Sequence, residues 1–197
     1  MFTGIIEQLG VIKSIEKSAT NTVFIISSVL TKELKVDQSI AHNGVCLTIE
    51  AINENNYQVT AVAETLAKTN AGNWRIDDII NLERAMQFNG RMDGHLVQGH
   101  VDTVATCIAV DDMNGSWMYR FQFPENFSSL MIEKGSVAIN GTSLTAFDVT
   151  SNQFSVAIIP YTYNHTNINQ LKLGDSVNIE FDMIGKYVAR FVEINNK

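Results

Sequence analysis

The chain has 197 residues, room for one large or two small domains, and is 45% hydrophobic against 18% charged, which excludes a disordered chain. Fourteen Lys and Arg against 21 Asp and Glu leave a net charge of −7, which argues against a phosphate-tracking nucleic-acid binder and a polybasic membrane surface. No apolar run reaches the roughly 18 residues of a membrane span, residues 1–10 lack a signal-peptide pattern, and Cys46 and Cys107 are too few for a disulfide scaffold, so a cytoplasmic setting is expected.

In chain order, the β-branched and aromatic run 22–26 predicts a strand, and residues 30–34 predict a short helix. Polar residues 53–56 form a turn before the alternating run 57–62, and a second short helix follows at 64–68. Residues 79–83 read as a closing strand, and the Gly-containing segment 87–94 as a connection. The pattern then recurs: a strand at 119–123, a helix at 128–132, a turn at 150–153, and strands at 154–158 and 177–181. Short strands at close spacing suggest a barrel or sandwich. In the tail, Tyr187, Val188, Phe191 and Val192 recur at helical spacing, as a stripe that packs on its own barrel or contacts another subunit.

The chain repeats itself. Asn43-Gly44-Val45-Cys46-Leu47-Thr48 returns as Asn140-Gly141-Thr142-Ser143-Leu144-Thr145, an offset of 97. Residues 39–83 and 136–180 share 14 identities in 45 positions, where random pairing gives roughly 3. Near the start the offset becomes 95, and Gly4-Ile5-Ile6-Glu7 falls on Gly99-His100-Val101-Asp102. The copies are too long for solenoid units, so each is a small domain. Small and polar residues are shared as well as apolar ones, which points to a duplicated binding site.

His95 and His100 lack metal-ligand spacing, so no metal is expected. His100 takes the place of Ile5 in the other copy, and histidine titrates where proton transfer at neutral pH needs it. Cys46 stands against Ser143, a thiol against a hydroxyl in a matched segment. No phosphate-cradling glycine motif is present.

Residues 1–7, Ser39 to Thr48, the Glu64-Thr65 and Thr69-Asn70 pairs, Gly94 to Asp102, and Asn140 to Thr145 together resemble the riboflavin synthase family. The resemblance implies an all-β fold of two tandem six-stranded antiparallel Greek-key barrels. They would span residues 1–95 and 96–183, with a trimerisation helix at 184–197. It implies a homotrimer that uses no cofactor and converts two molecules of 6,7-dimethyl-8-ribityllumazine to riboflavin and 5-amino-6-(D-ribitylamino)uracil, with lumazine synthase as a candidate partner. A related antenna protein that binds lumazine or flavin without turnover is the alternative.

The implied first pocket is Gly4, Ile5, Ile6, Cys46, Leu47, Thr48, Thr60, Ala61, Val62, Ala63, Glu64 and Thr65. The implied second is Gly99, His100, Val101, Lys134, Ser143, Leu144, Thr145, Ala157, Ile158, Ile159, Pro160, Tyr161 and Thr162. Ser39, Cys46 and His100 are the implied catalytic groups, with Phe2 beside the bound ring. The chain departs from some relatives at Asn140, which carries no carboxylate for proton transfer, and at Tyr161, which stands where the first copy has Glu64.

Overall fold

The computed structural model describes residues 1–196. Twelve strands fold as two closed six-stranded antiparallel barrels. The first contains β1 (Gln8–Ser18), β2 (Asn21–Ser27), β3 (Ser39–His42), β4 (Val45–Asn53), β5 (Asn56–Ala61) and β6 (Ile79–Arg84). The second contains β7 (Thr103–Asp112), β8 (Trp117–Gln122), β9 (Ser136–Ile139), β10 (Thr142–Phe147), β11 (Gln153–Ile158) and β12 (Ser176–Phe181). Round the first barrel the order is β1-β2-β5-β4-β3-β6, and the second repeats it strand for strand. Closure leaves no free sheet edge.

Each barrel has its own core. Ile12, Phe24, Ile26, Tyr57, Val59 and Ile80 fill the first, and Phe121, Phe154, Val156, Ile179 and Phe181 the second. These side chains alternate with outward ones, as a pleated strand requires. Strands β1, β4 and β7 each carry a register shift, which curves a long strand round a small barrel.

Of the short helices expected from sequence, the second is α1 (Ala63–Lys68). The other two are 3₁₀ turns at Val29–Glu33 and Glu125–Leu130. The first follows the Ser28 side chain, which caps the Leu30 N–H. A counterpart of α1, α2 (Pro160–His165), follows β11. The tail forms α3 (Met183–Asn195), capped by Asp182.

The Asn-Gly repeat has a structural cause that the sequence reading did not assign. Asn43 (φ 46) and Gly44 (φ 79) form the two-residue β3–β4 turn, and Asn140 (φ 44) and Gly141 (φ 78) the β9–β10 turn. Positive φ at both centres is the hairpin geometry that Asn-Gly favours. The two turns meet back to back, so closely that a Cβ on Gly44 would lie 2.8 Å from the Gly141 nitrogen.

Around them six asparagines join the barrels. The Asn81 amide donates to the Asn140 carbonyl, and the Asn178 amide to the Asn43 carbonyl, both at 2.9 Å. The Asn167 N–H donates to Asn81 Oδ1 and the Asn70 N–H to Asn178 Oδ1. Much of the polar identity between the copies therefore serves the seam. Asn140 belongs to it: its Oδ1 accepts the Asn178 N–H at 2.8 Å and the side chain is buried. The position read as a missing catalytic carboxylate is a structural one in this chain.

Candidate active site

On each barrel, one row of side chains faces outward at the seam. Cross-strand pairing sets Glu83, Ala41 and Cys46 in register on the first barrel, and Glu180, Ala138 and Ser143 on the second. The rows run in opposite directions, and Ala41 and Ala138 join Phe2 and Val97 in one apolar cluster between them.

Two backbone segments run along this seam. The Phe2 N–H donates to the Val97 carbonyl at 2.7 Å, Val97 returns a bond at 3.0 Å, and the His95 N–H donates to Thr3. Gly4 (φ 77) and Gly99 (φ 80) reverse the two segments. The Gly4 carbonyl accepts the Ser143 N–H at 2.8 Å, and the Gly99 carbonyl accepts the Cys46 N–H at 2.9 Å. A Cβ on Gly4 would come within 2.6 Å of Ser143 Cβ, and one on Gly99 within 2.6 Å of Cys46 Cβ, so both positions require glycine.

These contacts correct the grouping expected from sequence. Gly4 meets the second barrel at Ser143, and Gly99 meets the first at Cys46. Val101 packs against the first core. The repeat aligns Gly4 with Gly99, but each segment crosses the seam to the other copy's hairpin.

The first site therefore gathers Cys46 and Thr48 on β4, Ser39 opposite Thr48 on β3, and the loop 99–101. Ser39 and Cys46 are partly exposed and His100 is exposed, while Leu47 points into the core. Thr60 bonds Glu50 beside it, and Glu64 pairs with Lys68 across one turn of α1. At the second site, Ser143 and Thr145 occupy the matching places on β10. Ala157 and Ile158 end β11, Ile159 is the N-cap of α2, and Pro160, Tyr161 and Thr162 begin that helix. There Tyr163 stacks on Trp117 with ring centres 3.6 Å apart, and Tyr161 on His165 at 4.1 Å.

Two expected residues stand elsewhere. Lys134 lies beside Ala146 and Phe147, at the far end of β10 from Ser143, its ammonium 5.0 Å from the Phe147 ring centre. Phe2 is fully buried in the seam and offers no free ring face to a ligand. It lies under the Gly99 loop because Ala41, Val97 and Ala138 leave a gap that a phenyl ring fills.

One residue was missed. His95 is buried, and its Nδ1 lies 2.7 Å from Ser143 Oγ. Its Nε2 is buried without a hydrogen-bond partner. Burial pulls its pKa below the usual histidine value, with Asp182 opposing the shift. A neutral imidazole can accept the hydroxyl proton through Nδ1. The signal lay beside His100 in the sequence, but His95 stands outside the segments matched between the copies, which begin at Gly4 and Gly99, so the repeat did not mark it.

Two buried carboxylates hold the segments. Glu83 accepts the Thr3 N–H at 2.6 Å, the Thr3 hydroxyl at 2.7 Å and the Gly4 N–H at 2.9 Å. Glu180 accepts three consecutive N–H groups, from Gln98 at 2.7 Å and from Gly99 and His100 at 2.9 Å. Burial raises both pKa values and the N–H donors oppose it. A separate cleft of about 420 Å³ opens on the seam over Asn70 and Asn167, and none of the residues expected at a binding site lines it.

Comparison with known proteins agrees with this duplication. The lumazine binding domain matches residues 3–85 and again 98–182. A riboflavin synthase of Actinobacillus pleuropneumoniae is 38% identical over 98% of this chain and 90% of its own length. Those of Bacillus subtilis and Schizosaccharomyces pombe are each 36% identical, over 100% and 98% of this chain and 92% and 94% of their own. The crystal structure of LumP complexed with riboflavin superposes with a TM-score of 0.86 at 20% identity, covering 92% of this chain and 99% of that one. LumP complexed with 6,7-dimethyl-8-(1'-D-ribityl) lumazine gives 0.84 at 19%.

Proposed function

We propose, for a chain that belongs to the riboflavin synthase family and carries two lumazine-binding domains, that its two sites each take one 6,7-dimethyl-8-ribityllumazine. A four-carbon unit passes from one molecule to the other, leaving riboflavin and 5-amino-6-(D-ribitylamino)uracil. One observation carries this reading: the Gly4–Ser143 and Gly99–Cys46 contacts are the same construction made twice. A reaction between two copies of one substrate needs two similar pockets. Fixing both molecules beforehand removes translational and rotational freedom, worth up to about 7–11 kcal/mol in favourable cases.

The pockets are similar but carry different chemistry. At the first, Ser39 or a water attacks C7 of the acceptor lumazine, and His100 takes a proton from the acidic C7 methyl group of the donor. Cys46 contacts the ring beside them. At the second, His95 acts as proton acceptor for the Ser143 hydroxyl, supported by their 2.7 Å contact. The ring system of the substrate supplies its own electron sink.

The chain works as a cytoplasmic homotrimer in this reading. Ile184, Tyr187, Val188 and Phe191 of α3 are each more than half exposed, a stripe suited to burial against further copies. Removing residues from Ile184 onward abolishes assembly without opening either barrel core. A truncated chain that still scatters light as a trimer refutes that role.

The functional test is incubation with 6,7-dimethyl-8-ribityllumazine alone. Riboflavin fluorescence growing in proportion to enzyme and time is the expected result. Stoichiometric binding without product identifies an antenna protein instead and overturns the enzyme.

A further inference from the structure

Glu83 and Glu180 are titratable groups that the reaction above does not use, yet they are buried and repeated in both copies. A buried carboxylate persists only when it is well satisfied. Glu180 meets this condition through three consecutive backbone N–H groups, a nest that fixes the chain direction from Gln98 to His100. With those amides turned towards Glu180, the Gly99 carbonyl faces the other way, into the Cys46 N–H. Glu83 draws in the amides of Thr3 and Gly4, and the Gly4 carbonyl meets the Ser143 N–H. Each carboxylate belongs to one barrel, and the loop it shapes rests on the other.

We propose that Glu180 and Glu83 are reciprocal positioning residues: Glu180, on the second barrel, sets the Cys46 site of the first, and Glu83, on the first barrel, sets the Ser143 site of the second. The seam is thus the element through which each half of the duplicated chain shapes the other half's pocket. A mutation in one barrel acts on the site in the other.

The proposal rests on the reading of Cys46 and Ser143 as the two lumazine sites only where ligand is concerned, so its primary test uses none. Hydrogen exchange is followed in the full chain for the wild type, Glu180→Gln and Glu83→Gln. Exchange at the Cys46 amide rises about tenfold or more in Glu180→Gln and less than about twofold in Glu83→Gln, and the Ser143 amide shows the reverse. The core amides of Val59 and Val156 report whether either barrel has loosened as a whole. Equal acceleration at both sites in both variants, or an effect confined to the mutated barrel, overturns the proposal. If Glu180→Gln does not fold, Glu180→Asp keeps the charge and shortens its reach, and must produce the same selectivity.

A second readout uses the partly exposed Cys46, since Cys107 is buried. Iodoacetamide labels Cys46, and 6,7-dimethyl-8-ribityllumazine protects it. In Glu180→Gln, protection requires about tenfold more ligand, whereas in Glu83→Gln it is unchanged. Absence of protection in the wild type refutes the assigned ligand site and leaves the exchange result to decide the positioning role.

Discussion

The two barrels share a strand order, a hairpin turn and a buried carboxylate, yet differ inside. The first buries His42 against Tyr57, with Nε2 2.9 Å from the phenol oxygen and Nδ1 3.0 Å from the Ile40 carbonyl. The offset of 97 places Ile139 and Phe154 at the same positions in the second. Duplicated folds conserve the framework and diverge at single positions within it. At the seam, Trp74 donates to Asn70 Oδ1, whereas Leu171 offers Asn167 no donor and its Oδ1 is buried unpaired. At the sites, Cys46 and His100 stand against Ser143 and Ile5. The copies are equal as scaffolds and unequal as chemical environments.

The largest effect that sharpens this contrast is at the sites. His100→Gln keeps size and hydrogen bonding but removes a proton acceptor. Turnover falls by roughly 10²–10⁴-fold while lumazine binding changes little. Ile5→Gln, the matched change in the other loop, lowers turnover far less. Steady-state kinetics at saturating lumazine decides it: near-normal turnover in His100→Gln removes the general-base role, and equal losses in both variants remove the asymmetry.

The second contrast is one of pH. Burial lowers His42 from the usual histidine value to about 4. The tautomer that fits its contacts carries the proton on Nδ1 and accepts the Tyr57 hydroxyl at Nε2. Because the folded pKa is depressed, the unfolded chain binds the extra proton first. Stability is therefore full above pH 6.5 and falls as pH drops towards about 4, by about 3 kcal/mol. Glu83 and Glu180, with raised pKa values, oppose this: each loses stability as pH rises above the ordinary carboxylate range. They are common to both copies, so the histidine distinguishes the barrels. The double change His42→Ile with Tyr57→Phe copies the second barrel's residues and leaves no orphaned polar atom. Urea unfolding between pH 4 and 7 then loses the histidine-dependent slope. An unchanged slope refutes the assignment.

How much of this was legible in sequence depends on the question. Strands β5, β8 and β11 show alternation, which a barrel imposes on its walls, while β2 reads as a β-branched and aromatic run and β6 and β12 as closing strands. Their partners β3, β4, β9 and β10 lay in the Asn-Gly segments and were read for chemistry, although Asn-Gly between alternating residues is a strong hairpin signal. The sequence resemblance to a known family supplied the barrel topology and the residues for the sites. It did not supply their arrangement. A repeat establishes which residues are equivalent. It is silent on whether Gly4 touches its own copy's hairpin or the other's, because both arrangements leave the same identities. His95 escaped for a related reason, standing outside the segments matched between the copies.

The smallest effect lies at the seam, where one tryptophan separates the copies. Asn70→Ala removes the acceptor for Trp74 Nε1 and the bond to the Ser176 carbonyl, leaving a buried indole N–H unpaired. Asn167→Ala removes matching bonds to Asn43 Oδ1 and the Ile79 carbonyl, and also an oxygen that had no partner. An unpaired buried donor costs about 1–3 kcal/mol, and deleting an orphaned acceptor recovers part of such a cost. Asn70→Ala is therefore more destabilising than Asn167→Ala by about 1 kcal/mol or more. Adding Trp74→Leu to Asn70→Ala removes the orphaned indole along with its ring, and Asn167→Ala has no counterpart to that step. Equal unfolding midpoints for the two alanine variants would show that the Trp74–Asn70 bond contributes nothing net, and the barrels would then differ at the seam in composition alone.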